Sequence, residues 1–333
     1  MKAQAVRFHQ HGGPDVLQVE TVTVPDPAEG ELTIAVDAFA LNRADTFFRE
    51  GWHPIKPEFP SRIGYEAAGR VVAIGKGVTG FAVDDRVATL PVMEVNRYGG
   101  YGEAMTVPAR LVVPSPAELG PAESSAVWAS YMTAYGALVD LVSISLGQSV
   151  LCTAASSSVA NAAIQICLAI GAKPVGVTRT RAKADAVRDA GATAVIVTED
   201  EDLVARVMEI TDDAGVDFVF DPVGGPNFGL LAEAAASHGT IILYGATSPE
   251  PTELPVITSV NKNLTFKCYA MLLEEQPDRD ERAQKFIRDG IAEARLRPRV
   301  GHELPFSDVH EAVALLDSMN HSGKIVVRTG SGA

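Results

Sequence analysis

The stretch Val150–Asn161, VLCTAASSSVAN, sits between an apolar strand-like run and a helix-like run closed by Gly171, and it contains no glycine. In a strand–loop–helix that holds a dinucleotide, glycines permit a tight turn, admit the pyrophosphate close to the backbone and let helix pack on strand. Ala155, Ser157 and Ala160 occupy the places those glycines would fill, and all three are small. Phosphate is gripped chiefly by backbone N–H groups at a helix N-terminus, aided by the helix dipole, and alanine and serine still supply those groups. Ser156, Ser157 and Ser158 add hydroxyls and a natural N-cap, with Val159 following in the first turn. Glycine is required only where φ is positive, so the loop can serve if Ala155, Ser157 and Ala160 keep negative φ. A plain serine-capped turn fits the same residues, and the loop alone leaves both readings open.

The next strand-like run ends VGVTRTRAK, which places Thr178, Arg179, Arg181 and Lys183 where an NAD-binding chain carries an acidic residue for the ribose hydroxyls. Cations grouped there on an acidic protein suit a 2′-phosphate and predict NADPH. DPVGG (Asp221–Gly225) and YGATS (Tyr244–Ser248) end later strands on the same sheet edge, and Gly245 is expected to let the nicotinamide approach the backbone.

These residues need a scaffold, and the chain supplies its pattern. Up to about Pro121, short β-like runs such as LTIAVDAFAL and GRVVAIG are broken by Gly, Pro and Asp, which predicts a small barrel or folded sheet. From about Val150 to Gly245, strand and helix signals alternate, the mark of a doubly wound parallel sheet. A long polar helix follows, then β-like pieces that match the first segment. The expectation is an α/β chain with a dinucleotide-binding domain, 123–267, inserted in a β domain built from 1–122 and 268–333.

Length and charge narrow the function. The chain has 333 residues, 47% hydrophobic and 21% charged, with a formal net charge of -14. That balance argues against nucleic acid and against anionic membrane surfaces, and no run approaches a membrane span. Cys152, Cys167 and Cys268 are scattered in apolar surroundings and form neither a disulfide framework nor a metal spacing. A cytoplasmic location is expected.

The motifs ALNRAD (Ala40–Asp45), PSRIGYEAAGRVVAIGKGVTGFAVDDRV (Pro60–Val87), GGYGEA (Gly99–Ala104), MTAYGAL (Met132–Leu138), VDFVFDPVGG (Val216–Gly225) and HSGKIVV (His321–Val327) follow one another over nearly the whole chain. In that order they resemble the zinc-independent, zeta-crystallin-like quinone oxidoreductases of the medium-chain dehydrogenase/reductase superfamily. The resemblance implies a GroES-like β-barrel catalytic domain with an inserted Rossmann domain, NADPH as cofactor, and a quinone or α,β-unsaturated carbonyl as the small-molecule substrate. Zinc-using relatives place Cys, His and Cys where this chain has Asn42, Tyr65 and Ala129, none a good zinc ligand, so no metal is expected. Without that Lewis acid, easily reduced acceptors are the natural substrates.

By the same resemblance, Asn42 donates to a substrate carbonyl or fixes the nicotinamide ribose, and Tyr65 gives a hydrogen bond or a proton. Phe48, Trp52 and His53 border the substrate, His53 with the chemistry of a proton shuttle. Thr133 contacts the nicotinamide ribose, and Lys324 reaches cofactor phosphate or ribose. Relatives often place an Asn-Tyr pair after the third strand, the Tyr against adenine; this chain has Val197-Thr198-Glu199. An enoyl-thioester reductase and a non-catalytic nucleotide-binding scaffold are the rival readings. A homodimer joined edge to edge near NLTFKCYAML (Asn263–Leu272) is expected, because an exposed sheet edge invites pairing.

Overall fold

The computed structural model describes residues 1–271 and 277–330. The chain divides into two compact units: Met1–Ala129 with Pro298–Ala333, and Ser130–Arg297.

The first unit is β-rich. It contains β1 (Lys2–Phe8), β2 (Leu17–Thr23), β3 (Glu31–Ala40), β4 (Ser61–Arg62), β5 (Glu66–Ile74), β6 (Arg86–Thr89), β7 (Ala104–Pro108) and β8 (Val112–Pro114). β3 is the hub. It pairs antiparallel with β5 along most of its length, and with β7 near its start. Its apolar side chains Leu32, Ile34, Val36 and Phe39 are fully buried, each stabilising the fold by roughly 1.5–3 kcal/mol. At Gly69 of β5 a Cβ would lie 1.9 Å from the Ala35 carbonyl oxygen, so only glycine lets the two strands meet there.

Past Ala40 the chain turns into the helix Arg43–Glu50. The Asp45 carboxylate accepts the Asn42 backbone N–H at 2.7 Å, and Gly51 closes the helix with φ +85. Asp317 fixes the outer side of this helix by accepting from Thr46 at 2.8 Å and from the buried Arg49 at 2.7 Å.

The second unit holds β9 (Ser149–Cys152), β10 (Lys173–Thr178), β11 (Ala194–Val197), β12 (Val216–Asp221), β13 (Ala235–Leu243) and β14 (Thr265–Cys268). Every pairing is parallel, in the order β11-β10-β9-β12-β13-β14. The chain winds outward from β9 to β11, then returns to continue from β12 on the other side. The carboxyl ends of β9 and β12 therefore adjoin at a topological switch point, where such sheets bind ligands. Back in the first unit, β15 (Val300–Pro305) and β16 (Lys324–Arg328) complete the seven-stranded sheet, β16 pairing antiparallel with β3. The last strands thus join the sheet built on β3, while β1 and β2 pair with β4 in a separate three-stranded sheet.

The boundaries differ from the expected 123 and 267. The polar helix Pro277–Ala292 belongs with the α/β unit. Phe286 packs on Tyr135 with ring centroids 5.2 Å apart, and Arg282 meets Asp140 at 3.0 Å. The Gln165 side chain exchanges hydrogen bonds with the Arg297 backbone at 2.7 and 3.1 Å. Composition along the chain carries no trace of these contacts. Leu272, at the end of the expected dimer segment, lies outside the described residues. Among the described residues no helix is long and apolar enough to cross a membrane.

Candidate functional site

At the switch point, Thr153 donates its hydroxyl to Asp221 Oδ1 in a short hydrogen bond, and Asp221 Oδ2 accepts the Gly224 N–H at 2.7 Å. Burial pushes the Asp221 carboxyl above its ordinary range, while these donors oppose the shift. The pair ties the ends of β9 and β12 together. The motif DPVGG does not reveal this role by itself, because Thr153 and Asp221 meet only across the sheet.

The loop after β9 meets the condition on φ. Positive φ falls on Ala154 (+44), and not on Ala155, Ser157 or Ala160. Ala155 donates its N–H to Val177 O at 2.9 Å. Ser157 is the N-cap, its hydroxyl accepting from Ala160 N at 3.3 Å. Asn161 braces the turn from inside the helix, its amide donating to Ala155 O at 2.8 Å and to Ser157 O at 2.9 Å. The N–H groups of Ser158 and Val159 stand in the first helical turn, where no carbonyl of the same helix can accept them. Ser156 is buried beside them.

Thr178, at the end of β10, is buried, whereas Arg179 is exposed and Lys183 half-buried. Burial, and then the charge of Arg179, lowers the Lys183 pKa. Arg179 and Lys183 thus bring two positive charges to the residues that follow β10. Arg181 does not join them, because its guanidinium is held by Asp200 at 2.9 and 3.1 Å. At Gly245 a Cβ would lie 2.8 Å from Pro222 O, so the close approach of these two loops also requires glycine there. Thr133, on the helix Trp128–Tyr135, directs its hydroxyl at Met271 Sδ, 3.8 Å away.

In the β-rich unit, Asn42, Glu66 and Lys324 converge. Lys324 Nζ lies 2.5 Å from Glu66 Oε1 and 2.6 Å from Asn42 Oδ1, with the lysine and glutamate side chains 2% and 1% exposed. Asn42 Nδ2 donates to Glu66 Oε1 at 3.2 Å and to Ala40 O at 3.3 Å, and Glu66 Oε2 accepts the Ala129 N–H at 2.9 Å. The amide is therefore locked with its hydrogens turned inward, and its remaining capacity is a lone pair on Oδ1. This favours a hydroxyl partner for Asn42, such as a ribose, over the substrate carbonyl. Lys324 is buried and held in this lock by Glu66 and Asn42.

Asp45 lies behind this set. Its Oδ2 accepts from Tyr101 Oη at 2.7 Å as well as from the Asn42 backbone, while Oδ1 is buried without a hydrogen bond. Burial pushes its carboxyl up to about 7. Tyr65 is 4% exposed, and its hydroxyl lies 3.1 Å from His53 Nε2. Burial, and then the charge of Asp45, raises the Tyr65 pKa, so the phenol is neutral. Trp52 is 78% exposed. Phe48 is fully buried against the edges of Phe8 and His53. It packs behind His53 and does not border substrate, because an apolar ring at that helix position is drawn into the core.

An alcohol dehydrogenase GroES-like domain model matches residues 28–117, and a zinc-binding dehydrogenase model matches 158–286. A quinone oxidoreductase of Salmonella typhimurium is 32% identical over 246 residues, covering 74% of each chain. The chain belongs to the quinone oxidoreductase family of medium-chain dehydrogenases/reductases. Escherichia coli quinone oxidoreductase, solved in complex with NADPH, superposes with a TM-score of 0.88 at 28% identity, over 98% of this chain and 100% of that one. An NAD-dependent alcohol dehydrogenase superposes with a TM-score of 0.92 at 29% identity, over the same shares. The two neighbours differ in cofactor, NADPH in the quinone oxidoreductase and NAD in the alcohol dehydrogenase.

Proposed function

We propose that this chain is an NADPH-dependent reductase of quinones or α,β-unsaturated carbonyls. What supports the reading is the chemistry of the loop after β9 and of the residues that follow β10. Ser157 caps a helix whose first-turn N–H groups have no acceptor within the helix, and Arg179 and Lys183 follow the neighbouring strand. The small residues of the loop and the like-charged pair fit a pyrophosphate and a 2′-phosphate.

When bound, NADPH supplies a hydride to an electrophilic carbon. The chain's own residues do the rest by positioning and by hydrogen bonding. Asn42 offers Oδ1 to a hydroxyl, held in one orientation by Lys324 and Glu66. Tyr65 offers a neutral phenol to a carbonyl oxygen as charge develops there. Trp52 offers an exposed indole face to a flat ring. Asn42, Tyr65 and Ala129 present no strong zinc ligand, so the substrate must be an easy hydride acceptor.

The test is direct. NADPH fluorescence should change on titration with the protein, and NADPH absorbance should fall when 1,4-benzoquinone is added. Failure to bind NADPH would defeat the reading, and binding without turnover of quinones or enones would favour a scaffold.

A further inference from the structure

We infer that His53 is a positioning residue whose neutral ring, as a fixed donor, turns the hydroxyl hydrogen of Tyr65 toward the substrate oxygen. The inference rests on the reductase reading above and adds the direction of the hydrogen bonds.

The Ile55 backbone N–H lies 3.1 Å from His53 Nδ1. A backbone N–H can only donate, so Nδ1 must hold its lone pair toward Ile55. In a neutral imidazole the proton is then on Nε2. That nitrogen faces Tyr65 Oη at 3.1 Å, so His53 donates and the phenol oxygen accepts. The Tyr65 hydrogen is not spent on His53, and among the described residues no other acceptor meets it. Phe48, edge-on to the imidazole with ring centroids 6.2 Å apart, helps hold the ring in place. Burial lowers the His53 pKa and so favours the neutral ring.

A free, shielded phenol hydrogen suits an acceptor atom, and a quinone or enone carbonyl oxygen is one. As hydride reaches the substrate carbon, the oxygen gains negative charge. The chain His53 Nε2–H to Tyr65 O–H to substrate oxygen strengthens in step. The same geometry excludes His53 as a proton shuttle. Giving up the Nε2 proton would require a replacement at Nδ1, and the Ile55 N–H occupies that side. The balance is therefore one hydride from the cofactor and one proton from water. In an enone the hydride adds at the β-carbon and the proton at the α-carbon. In a quinone the hydride adds at a ring carbon and the proton at one oxygen, after which tautomerisation moves the ring C–H hydrogen to the second oxygen to give the hydroquinone.

Two measurements decide the matter. Long-range ¹H–¹⁵N spectra of histidine-labelled protein, with the His53 signal assigned by its loss in His53→Gln, should show the Nε2–H tautomer; the Nδ1–H tautomer would overturn the inference whatever the activity. In steady-state quinone reduction, His53→Phe should lower kcat about tenfold, the worth of one lost hydrogen bond. His53→Gln, which can donate from Nε2 but cannot relay a proton, should restore kcat to within about threefold of wild type. NADPH affinity should stay unchanged throughout. Equal losses in the two variants, with NADPH binding intact, would overturn the positioning role. A wild-type protein that reduces no quinone or enone would instead bring down the parent reading.

Discussion

The ammonium of Lys324 and the carboxylate of Glu66 lie 2.5 Å apart with almost no exposure to solvent, and they hold Asn42 between them. A buried pair of this kind costs desolvation, and its clearest use is to fix one arrangement of a polar site. Removing one partner leaves a buried charge uncompensated. Lys324→Met should therefore destabilise the protein by about 3–5 kcal/mol, and the double variant Lys324→Met with Glu66→Gln should recover much of that loss. Urea unfolding of the three proteins checks this; a double variant no more stable than Lys324→Met would show that the pair is not coupled.

The cofactor loop makes a separate prediction. Ser157→Asp keeps an N-cap of equal quality, so the unfolding midpoint should hold. It also sets a negative charge where the pyrophosphate is proposed to sit. NADPH affinity should fall by tenfold or more, read by fluorescence titration, as about 1.4 kcal/mol of repulsion requires. An unchanged affinity would place the cofactor elsewhere.

Arg179→Ala and Lys183→Ala should each weaken NADPH while leaving NADH binding nearly unaltered, since only the 2′-phosphate distinguishes the two. Each lost charge-assisted contact is worth roughly 1.5–3 kcal/mol. Arg181→Ala, whose side chain is already paired with Asp200, should be neutral for both cofactors.

Asp45 predicts a pH dependence of stability. Its folded pKa, raised to about 7 chiefly by burial, exceeds the unfolded value near 3.9. The contribution is fully present below about pH 4 and is lost as pH rises through about 7. Asp45→Asn removes it, so the wild-type protein should lose stability relative to this variant between pH 5 and 8. Parallel stability curves for the two would contradict the shift.

β14 closes one side of the six-stranded sheet, and Val256, Ile257 and Val260 stand exposed on the helix before it. We propose that this edge joins two copies of the chain. Gel filtration should give a dimer, and Ile257→Glu should shift it toward monomer; a wild-type monomer would refute the expectation.

Much of the architecture was legible in the sequence. The parallel strands of the second unit are apolar runs separated by helical ones, and burial on both faces forces that pattern. The split β unit was legible because the last β-like pieces match the first in character. The placement of the polar helix Pro277–Ala292 was not, since Phe286 on Tyr135 is one contact between distant segments.

The site divides in the same way. Residue types by themselves left the loop after β9 open to a phosphate or to a plain capped turn, put cations at the end of β10, and, with the family resemblance, set Asn42, Tyr65 and Ala129 where zinc-using relatives place ligands. Those properties belong to single side chains and their local backbone. Only the tertiary structure decided what each group has left to offer. Lys324 turned out to be locked on Glu66, Asn42 to have only a lone pair free, Phe48 to be core, and His53 to be a donor. Hydrogen-bonding capacity is spent on neighbours that the fold brings from far along the chain, and sequence spacing cannot show which partners have already taken it.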